Sequence, residues 1–148
     1  MSRNIVIQRV DWDSHQDSLR AIRKAVFVEE QQVPEALEWD GRDSGCVQFL
    51  ARIGSRPIAT ARLTAEGQIG RMAVIGSERG KGIGARLLTA VIAEAKRQGY
   101  QQVFLHAQVN VEGFYQKFGF VSEGDVFLEA GIEHRTMRLS LGDADRDE

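Results

Sequence analysis

The sequence lacks several features that would assign a function from composition alone. It has a single cysteine, Cys46, in the apolar run CVQFLARI, so no disulfide can form within the chain and the expected setting is a reducing, cytoplasmic one. Cys46 reads as buried filler rather than as a nucleophile. No apolar run approaches the roughly 20 residues that a membrane helix needs. The opening MSRNIVIQRVDWD also lacks the apolar core and small-residue cleavage site of a secretory leader, so no membrane partner is expected. Charge of one sign is not in excess either. Nineteen basic and 21 acidic residues leave a net charge of −2, which argues against nucleic acid as a partner, because that binding rests on a basic surface. His15, His106 and His134 are too scattered to make a ligand-spaced set, and no metal is expected. Internal repeats and low-complexity blocks are absent as well. At 148 residues the chain fits one domain, which we place at 1–141, ahead of an acidic, frayed tail at 142–148.

What is present is a regular alternation of strand and helix patterns. NIVIQRV (4–10) is β-branched and alternating, and Leu19, Ile22 and Val26 recur at helical intervals behind Asp13 or Ser14 as N-cap, with Pro34 as a stop. VPEALEWDGRDSG has no sustained period and reads as a loop carrying Glu35, Glu38, Asp40 and Asp43. A hairpin follows, VQFLARI and IATARLTA around GSRP, and then a fourth strand at about 68–75. Beyond it Ile83, Leu87, Leu88, Val91 and Ala95 share one helix face that ends near Gly99, and QVFLHAQ is a fifth strand. Strand, helix, strand at this spacing is a crossover that sets the fourth and fifth strands parallel in one sheet. A short helix in NVEGFYQKF and two further strands complete an α/β domain with a mixed sheet.

The chemistry concentrates in RGKGIG, residues 79–84, at the start of the crossover helix. The first N–H groups of a helix have no internal partner and lie at the positive end of its dipole, so an anion is favoured there. Gly80, Gly82 and Gly84 remove the Cβ atoms that would keep a phosphate away, and Arg79 and Lys81 add charge. A pyrophosphate is the best-fitting ligand. A nucleoside-triphosphate loop fails, because Gly82 follows Lys81 where Ser or Thr is needed. A dinucleotide fingerprint matches Gly80, Gly82 and Ala85, yet YQQVFLHAQ offers no acid to bind the ribose.

A third pattern, Arg79-x-x-Gly82-x-Gly84 preceded by GRMAV and followed by NVEGFYQKFGF, resembles the GNAT superfamily of acyl-CoA-dependent N-acetyltransferases. With AVFVEEQ, ARL and GIEH the resemblance covers most of the chain and is similar to the ElaA-like branch. It implies a mixed, mostly antiparallel sheet whose central parallel strands splay to admit the pantetheine arm of acetyl-CoA. Met72, Ala73 and Val74 would offer backbone groups to that arm. The N–H groups from Arg79 through Gly80, Lys81, Gly82, Ile83 and Gly84 to Ala85 would hold the pyrophosphate, with Asn110 on the pantetheine and Gly113 giving the cofactor room. Tyr115 would act as general acid toward the thiolate, and Val74 N–H would face the oxyanion. The acceptor implied is a primary amine, on a small molecule or a peptide, attacking directly in a ternary complex. Glu38 is the candidate base.

Plainer readings stand beside these. Tyr115, among Phe114, Phe118 and Phe120, fits core packing as well as catalysis, and the acidic run fits a solvated loop. His106 fits a structural histidine or a substrate contact, and the GIEH resemblance implies an active-site wall at His134. A non-catalytic acyl-CoA-binding sensor or interaction module on the same fold is the alternative function, and free sheet edges could support a homodimer.

Overall fold

Residues 4–142 are described in the computed structural model; of the expected acidic tail, 143–148 lie outside the described residues. The alternating segments form β1 (Ile5–Val10), β2 (Val47–Ile53), β3 (Arg56–Leu63), β4 (Gln68–Val74), β5 (Gln102–Gln108), β6 (Val121–Glu129) and β7 (Ile132–Ser140). They make one sheet in the order β1-β2-β3-β4-β5-β7-β6. Only the β4–β5 pair is parallel, as the crossover pattern requires.

The helices are α1 (Trp12–Arg23), α2 (Glu35–Glu38), α3 (Ile83–Arg97) and α4 (Glu112–Gln116). No helix among the described residues is long and apolar enough to cross a membrane. The N-cap of α1 is Asp11 rather than Asp13 or Ser14: its carboxylate accepts from Ser14 N–H, which lets the helix begin at Trp12. The helix continues through Lys24–Glu30 in wider, π-helical turns, with Gln31 N–H bonded to Val26 C=O at 3.0 Å.

Strand periodicity sorts the sheet into two faces. Phe49, Ala51, Ala59, Ala61, Leu63, Val103, Leu105 and Ala107 meet Ile83, Leu87, Leu88, Val91 and Ala95 of α3 in the main core. Leu50 and Ala73 on the opposite face meet Leu19, Ile22 and Val26 of α1 and its extension. The glycine loop at the start of α3 therefore lies on the α3 side, and α1 covers the other face of β2–β4, Ala73 included.

The segment 33–45 differs from the loop that its lack of period suggests. It holds α2 and a 3₁₀ turn, Asp43–Gly45, and two of its carboxylates, Glu38 and Asp43, turn inward. Arg23, fully buried, donates to Glu38 Oε2 at 2.8 Å and Asp43 Oδ1 at 2.7 Å, with Trp12 and Trp39 rings beside its guanidinium. Arg62 donates to Asp40 Oδ1 and Asp43 Oδ1 at 3.0 Å each, and Arg71 Nε lies 3.0 Å from Glu38 Oε2. Three guanidiniums thus order a polar segment that has no apolar stripe with which to fold.

Removing one partner from such a cluster strands the others without water, a loss of about 3–5 kcal/mol. Arg23→Ala should therefore lower the urea midpoint sharply, whereas Arg9→Ala, which loses an exposed contact to Glu94, should barely move it. The cluster also sets an acid response. The hydrogen bond from Arg62 holds the Asp40 carboxyl far below its usual range. Burial pushes Asp43 up, but Arg23 and Arg62 outweigh it and its net shift is downward. Both contributions are complete above the ordinary carboxylate value of 3.8 and are lost as pH falls toward the lowered folded values. Denaturation curves should show stability dropping below about pH 4, with a shallower drop in Asp43→Asn.

Candidate active site

The site begins where two parallel strands stop pairing. β4 and β5 are joined at Gln68↔Phe104 and Ile69↔Leu105, after which no pair continues although β4 runs on to Val74 and β5 to Gln108. Each strand keeps its outer partner: Ala73 and Val74 pair with Thr60 and Ala59 of β3, and His106 to Gln108 pair with Thr136 to His134 of β7. The result is a V-shaped gap with a polar backbone edge on each wall.

A bulge shapes the β4 wall. The register steps from Thr60↔Ala73 to Arg62↔Gly70, so two steps on β3 match three on β4, and Arg71 takes up a left-handed φ of 52°. That backbone costs on the order of 1–3 kcal/mol for a residue with a side chain. It also swings Arg71 over to Glu38, whose main-chain carbonyl accepts from Arg71 Nη2 at 3.0 Å. Past the bulge, Ile75 N–H points to Ile58 of β3, so Val74, one residue earlier in an alternating strand, turns its own N–H and C=O into the gap.

The glycine loop closes the wide end. Gly80 and Gly82 have φ of 79° and 76°, a region that L side chains rarely adopt, and the space where their Cβ atoms would stand is open. Arg86 N–H makes the first helical bond, to Gly82 C=O, which leaves the amides of Gly82, Ile83, Gly84 and Ala85 without intrahelical partners. These four fit a pyrophosphate. Arg79 is placed differently from the rest of the loop: its N–H is bonded to Gly76 C=O, and its guanidinium reaches Val74 C=O at 3.0 Å and Glu30 at 2.7 Å. Lys81 donates to the buried Glu78 at 3.1 Å. Both cations that the sequence offers to a phosphate are thus engaged by carboxylates.

On the β5 side, exposed Asn110 lies in a turn that leads to Gly113, also exposed, and Tyr115 on α4. The ring of Phe114 would lie 3.8 Å from a Cβ on Gly84, so α4 and the start of α3 are neighbours. Tyr115 packs edge-on against Phe114 and Phe120 at the rim of the main core, and burial pushes its phenol up to about 12. It remains protonated throughout the neutral range, as a proton donor must. Met72, Ala73 and Val74 thus lie on the β4 side of the gap, the loop amides at the start of α3, and Asn110, Gly113 and Tyr115 on the segment that follows β5.

Glu38 does not join them as an open carboxylate. It is 4% exposed and held between Arg23 and Arg71, so its carboxylate is enclosed by guanidiniums instead of facing the gap. The sequence carried one sign of this arrangement, which is that Arg23 stands four residues after Leu19 on the apolar stripe of α1. Arg71 gave none, because the bulge that aims it is a tertiary feature. Cys46 is partly buried, its thiol is pushed up by that burial, and it donates to Arg42 C=O, which leaves it inert.

The loop geometry yields a prediction. Gly84 has an ordinary φ and a β-carbon there would meet Phe114 at contact distance, so Gly84→Val should keep the fold while its branches cover the loop amides. Calorimetry should show coenzyme A affinity reduced at least about tenfold with an unchanged melting temperature. Unchanged affinity would remove the loop from the binding site.

Comparison with known proteins agrees with this geometry. A family model described as an acetyltransferase (GNAT) domain matches residues 12–141. ElaA of Escherichia coli is 30% identical over 79% of this chain and 82% of its own length, and its crystal structure superposes with a TM-score of 0.82 over 90% of this chain and 98% of its own. YjcF of Bacillus subtilis, described as an uncharacterised N-acetyltransferase, is 32% identical over 78% of this chain and 86% of its own. An acyl-CoA N-acyltransferase from Pseudomonas aeruginosa gives a TM-score of 0.81 at 29% identity, covering 94% of this chain and 100% of that one. The splayed strands, the glycine loop and these relatives together place the chain in the GNAT acetyltransferase family, beside ElaA.

Proposed function

We propose that the protein transfers an acetyl group from acetyl-CoA to a primary amine by direct attack in a ternary complex. The observation that carries this reading is the parting of β4 and β5 directly beneath the unpartnered amides that open α3. A pyrophosphate held by Gly82 to Ala85 leaves its pantetheine arm facing a gap whose β4 wall already turns the Val74 N–H and C=O inward. Met72 and Ala73 extend that wall, Asn110 offers an amide at the mouth, and Gly113 leaves room beside α4.

Each residue's part follows from its position. Val74 lies next to the loop and serves the arm there. Arg71 and Met72 at the bulge lie nearer the closed end of the gap, so their backbone is the best-placed source of a hydrogen bond to the acetyl oxygen. Tyr115, kept neutral by burial, donates its proton to the departing sulfur. Positioning two reactants in one cleft supplies most of the acceleration, because the amine is already a competent nucleophile once it is neutral. Glu38 orders Arg71 and the bulge instead of meeting the amine itself.

The test is Tyr115→Phe, which keeps the ring and its packing while removing the hydroxyl. With acetyl-CoA and a panel of primary amines, free-thiol release should fall about 10²-fold in kcat. Acetyl-CoA affinity and melting temperature should stay at wild-type values. A loss of less than about threefold would return Tyr115 to the core and leave the thiolate to water. Coenzyme A binding by the wild type without thiol release from any amine would identify the chain as an acyl-CoA sensor instead.

A further inference from the structure

The face of β5 that points away from α3 carries a second group of titratable side chains. Phe104, His106 and Gln108 alternate with the core residues Val103, Leu105 and Ala107, and beside them on β7 stand Arg138, Thr136 and His134. His106 is the first β5 residue beyond the last β4–β5 pair, so it stands where the gap begins. The opposite end of the gap is the glycine loop, from which an extended arm runs back along β4 toward this point. The amine must meet the acetyl carbon near here, on the face that α3 does not cover.

His106 is not free to rotate there. Its Nδ1 lies 2.8 Å from Oε1 of Glu129, and its ring packs edge-on against Phe127 at 5.1 Å and near Phe104 at 6.2 Å. A carboxylate only accepts, so neutral His106 carries its proton on Nδ1 and presents a bare Nε2. His134 sits on the other side of Glu129. Its Nδ1 is 2.7 Å from Ile132 C=O, its Nε2 is 3.9 Å from Glu129 Oε2, and its ring stacks on Phe127. Arg138, over the Phe104 ring, and its partner Glu123 also carry charge on this face. His134 is buried, whereas His106 is half-buried and reachable from solvent.

We infer that His106, oriented by Glu129, is the base that deprotonates the acceptor amine, an inference that rests on the acetyl-transfer reading above. An ammonium group gives one proton to His106 Nε2 and becomes a neutral nucleophile. Its nitrogen then bonds to the acetyl carbon as the carbon–sulfur bond breaks. The sulfur takes a proton from Tyr115, which recovers one from the amide-forming nitrogen, and His106 returns its own to water. Ammonium and thioester thereby become amide, thiol and one released proton. Glu129 is a positioning residue: it fixes the tautomer and holds the ring, and its charge at the mouth of the cleft favours a cationic acceptor.

The experiment combines kinetics with a readout that needs no turnover. ¹⁵N NMR of the wild-type protein should show neutral His106 protonated at Nδ1, and Glu129→Gln should weaken that preference. In thiol-release assays with the best amine of the panel, His106→Gln should lose about 10²-fold in kcat. It should also lose the rise of kcat/KM with pH. Glu129→Gln should lose about tenfold, partly rescued in Glu129→Asp, while coenzyme A affinity stays constant. His134→Gln should retain the pH rise. An Nε2-protonated His106 in the wild type, or more than about a third of wild-type kcat in a folded His106→Gln, would overturn the assignment while leaving acetyl transfer intact. No thiol release by the wild type with any amine would overturn acetyl transfer, and the base with it.

Discussion

The structure turns on hydrogen bonds that β4 and β5 do not make. Two adjacent strands gain most by pairing along their full length, and here pairing stops at Ile69↔Leu105. They part where a bulge turns β4 with β3, while β5 stays in continuous register with β7. The exposed backbone edges between them are open to a ligand that can substitute for a strand. An arm bearing amide groups meets that requirement without any dedicated side chain, and the same gap can therefore occur in proteins of low sequence identity.

The two faces of the sheet have separate tasks. Toward α3 the packing is apolar and sets the glycine loop at the rim. Toward α1 the sheet supports a buried ionic cluster whose members come from α1, α2, β3 and β4. Such a cluster contributes little net stability compared with apolar packing, but it is highly directional. Its product is the placement of Arg71 and hence of the bulge. Arg79 links the two faces, because one guanidinium ties the end of the α1 extension at Glu30 to the carbonyl of Val74.

Much of this was legible in the residues. Local alternation gave the strands in order, the apolar stripe from Ile83 to Ala95 gave α3, and the glycines at 80, 82 and 84 marked the turn that leads into it. The segment 33–45 was not legible, since its order comes from arginines distant in sequence and no period records that. Arg79 and Lys81 read as free cations for the same reason: Glu30 is remote in sequence, and the inward turn of Glu78 depends on tertiary packing. His106 and Glu129 are joined across β7, so neither one's sequence neighbours could announce the pair.

The strand order has a consequence for assembly. β1 to β4 follow one another in space as in sequence, so the first half-sheet can close as soon as α3 is available to cover it. β5 is different, because its outer edge is covered by β7, the last strand, which enters between β5 and β6. Until residues 132–140 are in place, β5 carries an open edge. The glycine loop can thus form early in synthesis, while the β5 wall of the gap waits for the final strand, so an incomplete chain would hold one wall of the gap without the other.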